Sequence, residues 1–203
     1  MKVKICGLKK AADVQTVIEN GGDMIGFVFA PSKRQVSIKQ AQELAKQIPA
    51  SIKKVGVFVN PTLEEVKTAI MQVPLDLVQL HGEESEYLIT QIERPVIKAY
   101  KADGDLARFE EWLPTTKATY ILLDTPGEQF AGGSGKTFDW EKWQHIKLAN
   151  KKIIIAGGLT PENVKKAEEI FQPYGVDVSS GVETAGEKDP QKIKTFLQNA
   201  KGV

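Results

Sequence analysis

A thiol, a carboxyl group and two glycine turns are the features of this chain best suited to chemistry. Cys6 ends the run Val3-Lys4-Ile5-Cys6 and stands beside Gly7. A thiolate there can take a proton from carbon, provided nearby positive charge or backbone N–H groups lower its pKa. Taken alone, a single cysteine is more often an inert buried residue. Asp124 follows Ile121-Leu122-Leu123 at the edge of a core, where a carboxyl group can donate a proton or simply order a turn. Ala156-Gly157-Gly158-Leu159-Thr160-Pro161 and Ser179-Ser180-Gly181-Val182-Glu183 are small-residue turns. Glycine lets backbone approach a ligand closely, and bare N–H groups can face an anion such as phosphate.

Three further side chains join these candidates. Arg34, in Ala30-Pro31-Ser32-Lys33-Arg34, carries the forked guanidinium that suits a carboxylate. His81, in Leu80-His81-Gly82, can shuttle a proton, orient a group or cap a strand end. Asp177 interrupts an apolar run between Val176 and Val178, so it needs a partner and is either structural or ligand-facing. Gly132-Gly133-Ser134-Gly135-Lys136-Thr137 looks like a nucleotide loop, but Phe130 stands where a P-loop needs its first glycine. A loop that covers or touches substrate suits it better. The two histidines and scattered carboxylates have no metal-ligand spacing. Trp112, Trp140 and Trp143 fall on helical segments and suit core packing better than base stacking.

These groups need a scaffold. The 203 residues are enough for one substantial core, and a single domain over 1–203 is expected. With 27 Lys+Arg against 26 Asp+Glu there is no basic field for nucleic acid or anionic lipid. One cysteine excludes intrachain disulfides and multi-cysteine metal centres. No stretch approaches the roughly 20 apolar residues of a membrane span. The first residues lack a secretory pattern, so a cytoplasmic location is expected.

Short runs rich in Val, Ile and Leu predict strands at Val3–Cys6, Met24–Phe29, Lys54–Val59, Leu75–Leu80, Pro95–Tyr100, Tyr120–Asp124, Lys152–Ala156 and Val176–Ser179. Helical segments alternate with them. Ser37, the Thr62–Glu65 capping box, Thr160-Pro161 and Asp189-Pro190 are helix starts, and Asn20-Gly21-Gly22 is a stop. Leu106–Leu113 and Asp139–Leu148 also read as helical. Eight such units predict a (β/α)8 TIM barrel with lean loops, shorter than the roughly 250 residues usual for that fold. A doubly wound open sheet is the competing arrangement. In either, the chemistry belongs at the carboxyl ends of the strands, where all the candidates fall.

Read together, the fragments resemble one enzyme family. They are Lys4-Ile5-Cys6-Gly7; Gly26-Phe27-Val28-Phe29 with Pro31, Ser32 and Arg34; Val55-Gly56-Val57-Phe58-Val59-Asn60; Val78-Gln79-Leu80-His81-Gly82; Leu123-Asp124-Thr125; Gly132 to Trp140; Ala156-Gly157-Gly158-Leu159; and Val178-Ser179-Ser180-Gly181-Val182-Glu183. In this order, over essentially the whole chain, they are similar to phosphoribosylanthranilate isomerase of the tryptophan pathway. The resemblance implies a (β/α)8 barrel without a cofactor, acting on a phosphosugar that carries an anthranilate group, as a monomer or homodimer. It implies Cys6 as general base and Asp124 as general acid in an Amadori rearrangement. It also implies Arg34 at the anthranilate carboxylate and Gly157, Gly158, Ser180 and Gly181 at the phosphate. His81 and Asp177 match family positions without a defined role. Lys33 departs from the pattern, standing where a small residue or proline is expected.

Two other functions compete. A phosphosugar lyase or epimerase is the nearer one, and a lysine Schiff-base enzyme of that kind would need an unpaired lysine inside the barrel; Lys98 is the candidate, and it could equally hold a charge at the strand-five mouth. A non-catalytic phosphosugar-binding protein would tolerate loss of Cys6 and Asp124.

Overall fold

The computed structural model describes residues 1–102, 104–125, 138–145 and 151–202. The Gly132–Thr137 loop and the end of the helical segment expected to reach Leu148 lie outside the described residues. Among the described residues, eight parallel strands close into a barrel in sequence order: β1 (Lys2–Cys6), β2 (Met24–Val28), β3 (Lys53–Phe58), β4 (Leu77–Leu80), β5 (Val96–Lys101), β6 (Tyr120–Asp124), β7 (Lys152–Ile155) and β8 (Gly175–Val178). Closure is made by β8 pairing with β1, with Lys4 opposite Asp177. This closed ring, not the open sheet, is the (β/α)8 TIM barrel.

Helices α1 (Ala11–Glu19), α2 (Ile38–Ala45), α3 (Leu63–Gln72), α4 (Glu86–Gln91), α5 (Leu106–Trp112), α6 (Trp140–Trp143), α7 (Val164–Phe171) and α8 (Pro190–Lys201) alternate with the strands. Successive strand residues face opposite ways. Val3 and Ile5 pack outward in the layer shared with the helices, whereas Cys6 turns inward with Met24, Val55, Leu77, Ile97 and Leu122. Both faces of most strands are therefore apolar, and each fully buried Ile or Leu contributes about 1.5–3 kcal/mol.

Most predicted helix starts are present. Ser37 accepts from Gln40 N, and Thr62 and Glu65 complete both bonds of the capping box. Asp189 accepts from Gln191 N and Lys192 N ahead of Pro190. Each such cap contributes about 1 kcal/mol. Thr160 does not start its helix, and α7 begins at Val164. The Asn163 side chain accepts from Thr160 N at 2.8 Å and donates to Gly158 O at 2.9 Å, which holds residues 160–163 in a turn. Beyond β8 the chain forms a short 3-10 turn, Ser180–Val182, then a small hairpin of β9 (Glu183–Thr184) and β10 (Glu187–Lys188). Two-residue strands carry no periodicity, so the sequence has no signal for them.

Candidate active site

The first element of the site is the carboxyl end of β1. Lys4 and Cys6 are two residues apart and share the inner face. Lys4 has no exposed surface, and its ammonium lies 2.9 Å from Oδ1 of Asp177 on β8. Asp177 thus has the partner that a carboxylate within a strand requires. Cys6 is buried at the top of this pair. Burial pushes its thiol pKa up; Lys4 opposes that, Asp177 adds to it and Lys188 opposes it. Burial likewise disfavours the Lys4 charge, but Asp177 and Cys6 more than offset this and hold its pKa above the ordinary range.

β6 brings the second element to the same rim. With Tyr120 and Leu122 packed inward, strand alternation turns Asp124 inward too. Its Oδ2 lies 3.0 Å from His81 Nε2, and His81 Nδ1 lies 2.9 Å from Gln79 Nε2. With the Gln79 amide donating to Nδ1, the ring proton sits on Nε2 and is given to Asp124. One hydrogen-bonding proton thus lies between His81 and Asp124. Gln79 Oε1 is buried without a hydrogen-bond partner among the described residues.

The glycine turns close the rim between these elements. Gly157 and Gly158 have φ of +76° and +66°, a region that strains any other residue. A Cβ at Gly157 would strike the Thr125 hydroxyl and lie 2.7 Å from Asp124 Oδ1. The turn after β7 is therefore packed against Asp124. Gly181 packs against the carbonyl of Leu159, so the turn after β8 rests on the turn after β7. All four predicted phosphate residues, Gly157, Gly158, Ser180 and Gly181, lie in this one junction.

Arg34 lies against Gly7, next to Cys6. Its guanidinium forms a fork with Glu183, at 2.6 Å and 3.0 Å. The expected carboxylate holder thus grips a carboxylate of its own chain. Lys188 and Lys33 approach the same Glu183 at 2.9 Å and 3.5 Å. Burial alone would raise the Glu183 pKa, but Arg34 and Lys188 hold it down at about 2. Three cations around one carboxylate leave this corner net positive. Lys188 also donates to Ser179 O, and Ser179 Oγ donates to Cys6 O, so the hairpin fastens β8 to β1.

Lys98 does not enter the lumen. Ile97 and Ala99 take the inner face of β5. Lys98 turns outward to Glu84 at 3.0 Å and Gly82 O at 2.7 Å. This removes the lysine that a Schiff-base lyase would have used. Among the described residues Lys4 does lie inside the barrel, but paired with Asp177; the sequence analysis missed it along with Gln79, Glu183 and Lys188. A signal existed for Lys4, since alternation puts it on the face of Cys6 and Asp177 demanded a cation. Among the described residues no group of three or more His, Cys, Asp or Glu could hold a metal.

Reactive side chains collected at the carboxyl-end rim of a closed parallel ring define a (β/α)8-barrel enzyme. The model of the N-(5'-phosphoribosyl)anthranilate isomerase family matches residues 3–199. The N-(5'-phosphoribosyl)anthranilate isomerase of Listeria welshimeri is 60% identical over 203 residues, with both chains fully covered. The crystal structure of the Thermotoga maritima phosphoribosyl anthranilate isomerase superposes with a TM-score of 0.91 at 41% identity, both chains fully covered. Another crystal structure, of phosphoribosyl anthranilate isomerase in complex with reduced 1-(o-carboxyphenylamino)-1-deoxyribulose 5-phosphate, superposes at 0.85 with 37% identity, again over all of both chains. The chain belongs to the N-(5'-phosphoribosyl)anthranilate isomerase family, a family of isomerases.

Proposed function

We propose that this chain catalyses the Amadori rearrangement of N-(5'-phosphoribosyl)anthranilate to 1-(2-carboxyphenylamino)-1-deoxyribulose 5-phosphate, with Asp124 as general acid and Cys6 as general base. The observation that carries this reading is that the thiol and the carboxyl point into one rim from β1 and β6, with the glycine junction between them. Asp124 gives its proton to the furanose ring oxygen as the C1'–O bond breaks. The anilino nitrogen lone pair forms the C=N bond, leaving an iminium. Cys6 thiolate then takes the C2' proton, and the C–H electron pair forms C1'=C2' and neutralises the iminium. The resulting enol loses its hydroxyl proton and gains one at C1', giving the ketone. On balance Asp124 regains a proton and Cys6 gives one up.

The remaining contacts suit the two ends of this substrate. The turns carrying Gly157, Gly158, Ser180 and Gly181 are the place where this fold usually holds phosphate. The net positive corner of Arg34, Lys33, Lys188 and Glu183 suits the anthranilate carboxylate. The relative crystallised with a reduced product analogue supports the same ligand class. No helix of the described residues is long and apolar enough to cross a membrane, and we place the reaction in the cytoplasm.

The test follows loss of substrate fluorescence in wild type, Cys6→Ala and Asp124→Ala, with inorganic phosphate as competitor. Each variant is expected to lose at least about 100-fold in turnover, with the fold intact by circular dichroism. Turnover near wild type in either one overturns its assigned role, and indifference to phosphate overturns the phosphate junction.

A further inference from the structure

We propose that Lys4 is a positioning residue for Cys6: anchored by Asp177, its buried ammonium supplies the charge that lets the thiol act as a thiolate. The inference rests on the reading of Cys6 as the base and says how so enclosed a sulfur can serve.

Geometry carries it. Lys4 is fully buried, where an ammonium without an anion would be strongly disfavoured. Asp177 contacts it at 2.9 Å from the neighbouring strand and fixes the direction of the side chain. On the adjoining strand β2, Gly26 lies in register with Cys6 and has no side chain. A Cβ built there would lie 2.9 Å from Cys6 Sγ and 3.0 Å from Lys4 Nζ. The sulfur and the ammonium therefore flank one small volume, separated by no more than the sum of those distances. That is within the roughly 4–6 Å over which an opposite charge sustains ionisation. Gly26 keeps this volume open, and any side chain there would part the two heads.

The charged groups that act on the sulfur come from three elements. β1 supplies Lys4, β8 supplies Asp177 and the β10 end of the hairpin supplies Lys188. Lys188 is committed to Glu183 and Ser179, and Asp177 favours the neutral thiol. Lys4 is the cation stationed on the same strand face as the sulfur. It gives up no proton in the cycle. The C2' proton goes to sulfur, and Lys4 remains an ammonium on Asp177 throughout.

The experiment titrates the Cys6 thiol by thiolate ultraviolet absorbance, with Cys6→Ala as blank, in wild type and Lys4→Met. The pH profile of kcat/KM is recorded alongside. The thiol midpoint is expected to rise by at least about one pH unit in Lys4→Met. The acid limb of kcat/KM should rise with it, while KM changes little. Lys4→Met strands a buried carboxylate and can fail to fold. The double variant Lys4→Met/Asp177→Asn is therefore compared with Asp177→Asn, and the same upward displacement is expected. An unmoved midpoint in the folded variants overturns the inference, and so does a moved midpoint with an unmoved acid limb. Full turnover in Cys6→Ala overturns the base assignment instead, because the titration reads Lys4 without turnover.

Discussion

The two rims of the barrel use the same residue types to opposite ends. At the amino-end rim, Asp23 precedes β2 and binds Lys2 at 2.8 Å, Lys201 at 2.8 Å and Val3 N at 2.9 Å. Asp76 precedes β4 and binds Lys53 and Lys54, both at 3.1 Å, and Lys54 N at 2.9 Å. Burial alone would raise both carboxyl pKa values, but these partners lower them. Lys152 closes the same end, lying over the rings of Tyr120 and Tyr174 at 5.2 Å and 5.1 Å. At the carboxyl-end rim, Asp124 is hydrogen-bonded to the imidazole of His81, a group that can give or take a proton. Cys6 is pushed up by burial and Lys188 is lowered by burial. A carboxylate saturated by ammonium groups and a backbone N–H is locked in one protonation state and ties strands together. A carboxyl group hydrogen-bonded to an imidazole has a neighbour suited to the acid–base role proposed above.

The sharpest way to break this contrast is at the carboxyl-end rim. Cys6→Ala and Asp124→Ala should each cost at least about 2.7 kcal/mol of transition-state stabilisation, with an unchanged urea midpoint. Asp23→Asn should do the reverse: it should lower unfolding stability by about 1.5–3 kcal/mol in urea titration and leave kcat unaltered. The same residue sets a pH signature. Its folded pKa lies below its ordinary 3.8, so its contribution is complete above that value and is lost as pH falls below it. Stability measured down the acid limb should therefore fall less steeply in Asp23→Asn than in wild type. A smaller effect is expected at His81→Asn. It removes one bond to Asp124 and should lower kcat about tenfold, read against KM and the pH profile. The smallest is at Lys46→Ala, whose exposed pairing with Glu43 belongs to neither rim. It should change stability by less than about 0.5 kcal/mol and activity not at all. Loss of activity in Asp23→Asn, or full activity in His81→Asn, would blur the division.

Most of the architecture was legible because strands and helices report themselves locally. Each of the eight predicted strands lies within two residues of its observed ends. Ser37, Thr62 and Asp189 cap as expected, since a cap is a matter of a few neighbouring atoms. Thr160 lost its helix to the side chain of Asn163, a competing local bond of equal reach. The two readings of Lys98, a lumen lysine or a charge at the mouth of β5, stay open in the sequence because it does not say which face of a doubly buried strand is inward. Glu183 lies 149 residues on from Arg34, and no local pattern reports that the two pair.

From its sequence alone, then, this protein had its elements, their order, the rim that carries the reactive groups and its family resemblance. Periodicity, capping and strand ends are short-range properties of the chain. Tertiary structure decided closure of the ring and the pairing of groups across it. Lys4 and Asp177 are 173 residues apart, and only the β8–β1 seam makes them neighbours. The environment of Cys6 was decided the same way. Desolvation and charge act through space, and the residues responsible meet only when the barrel shuts.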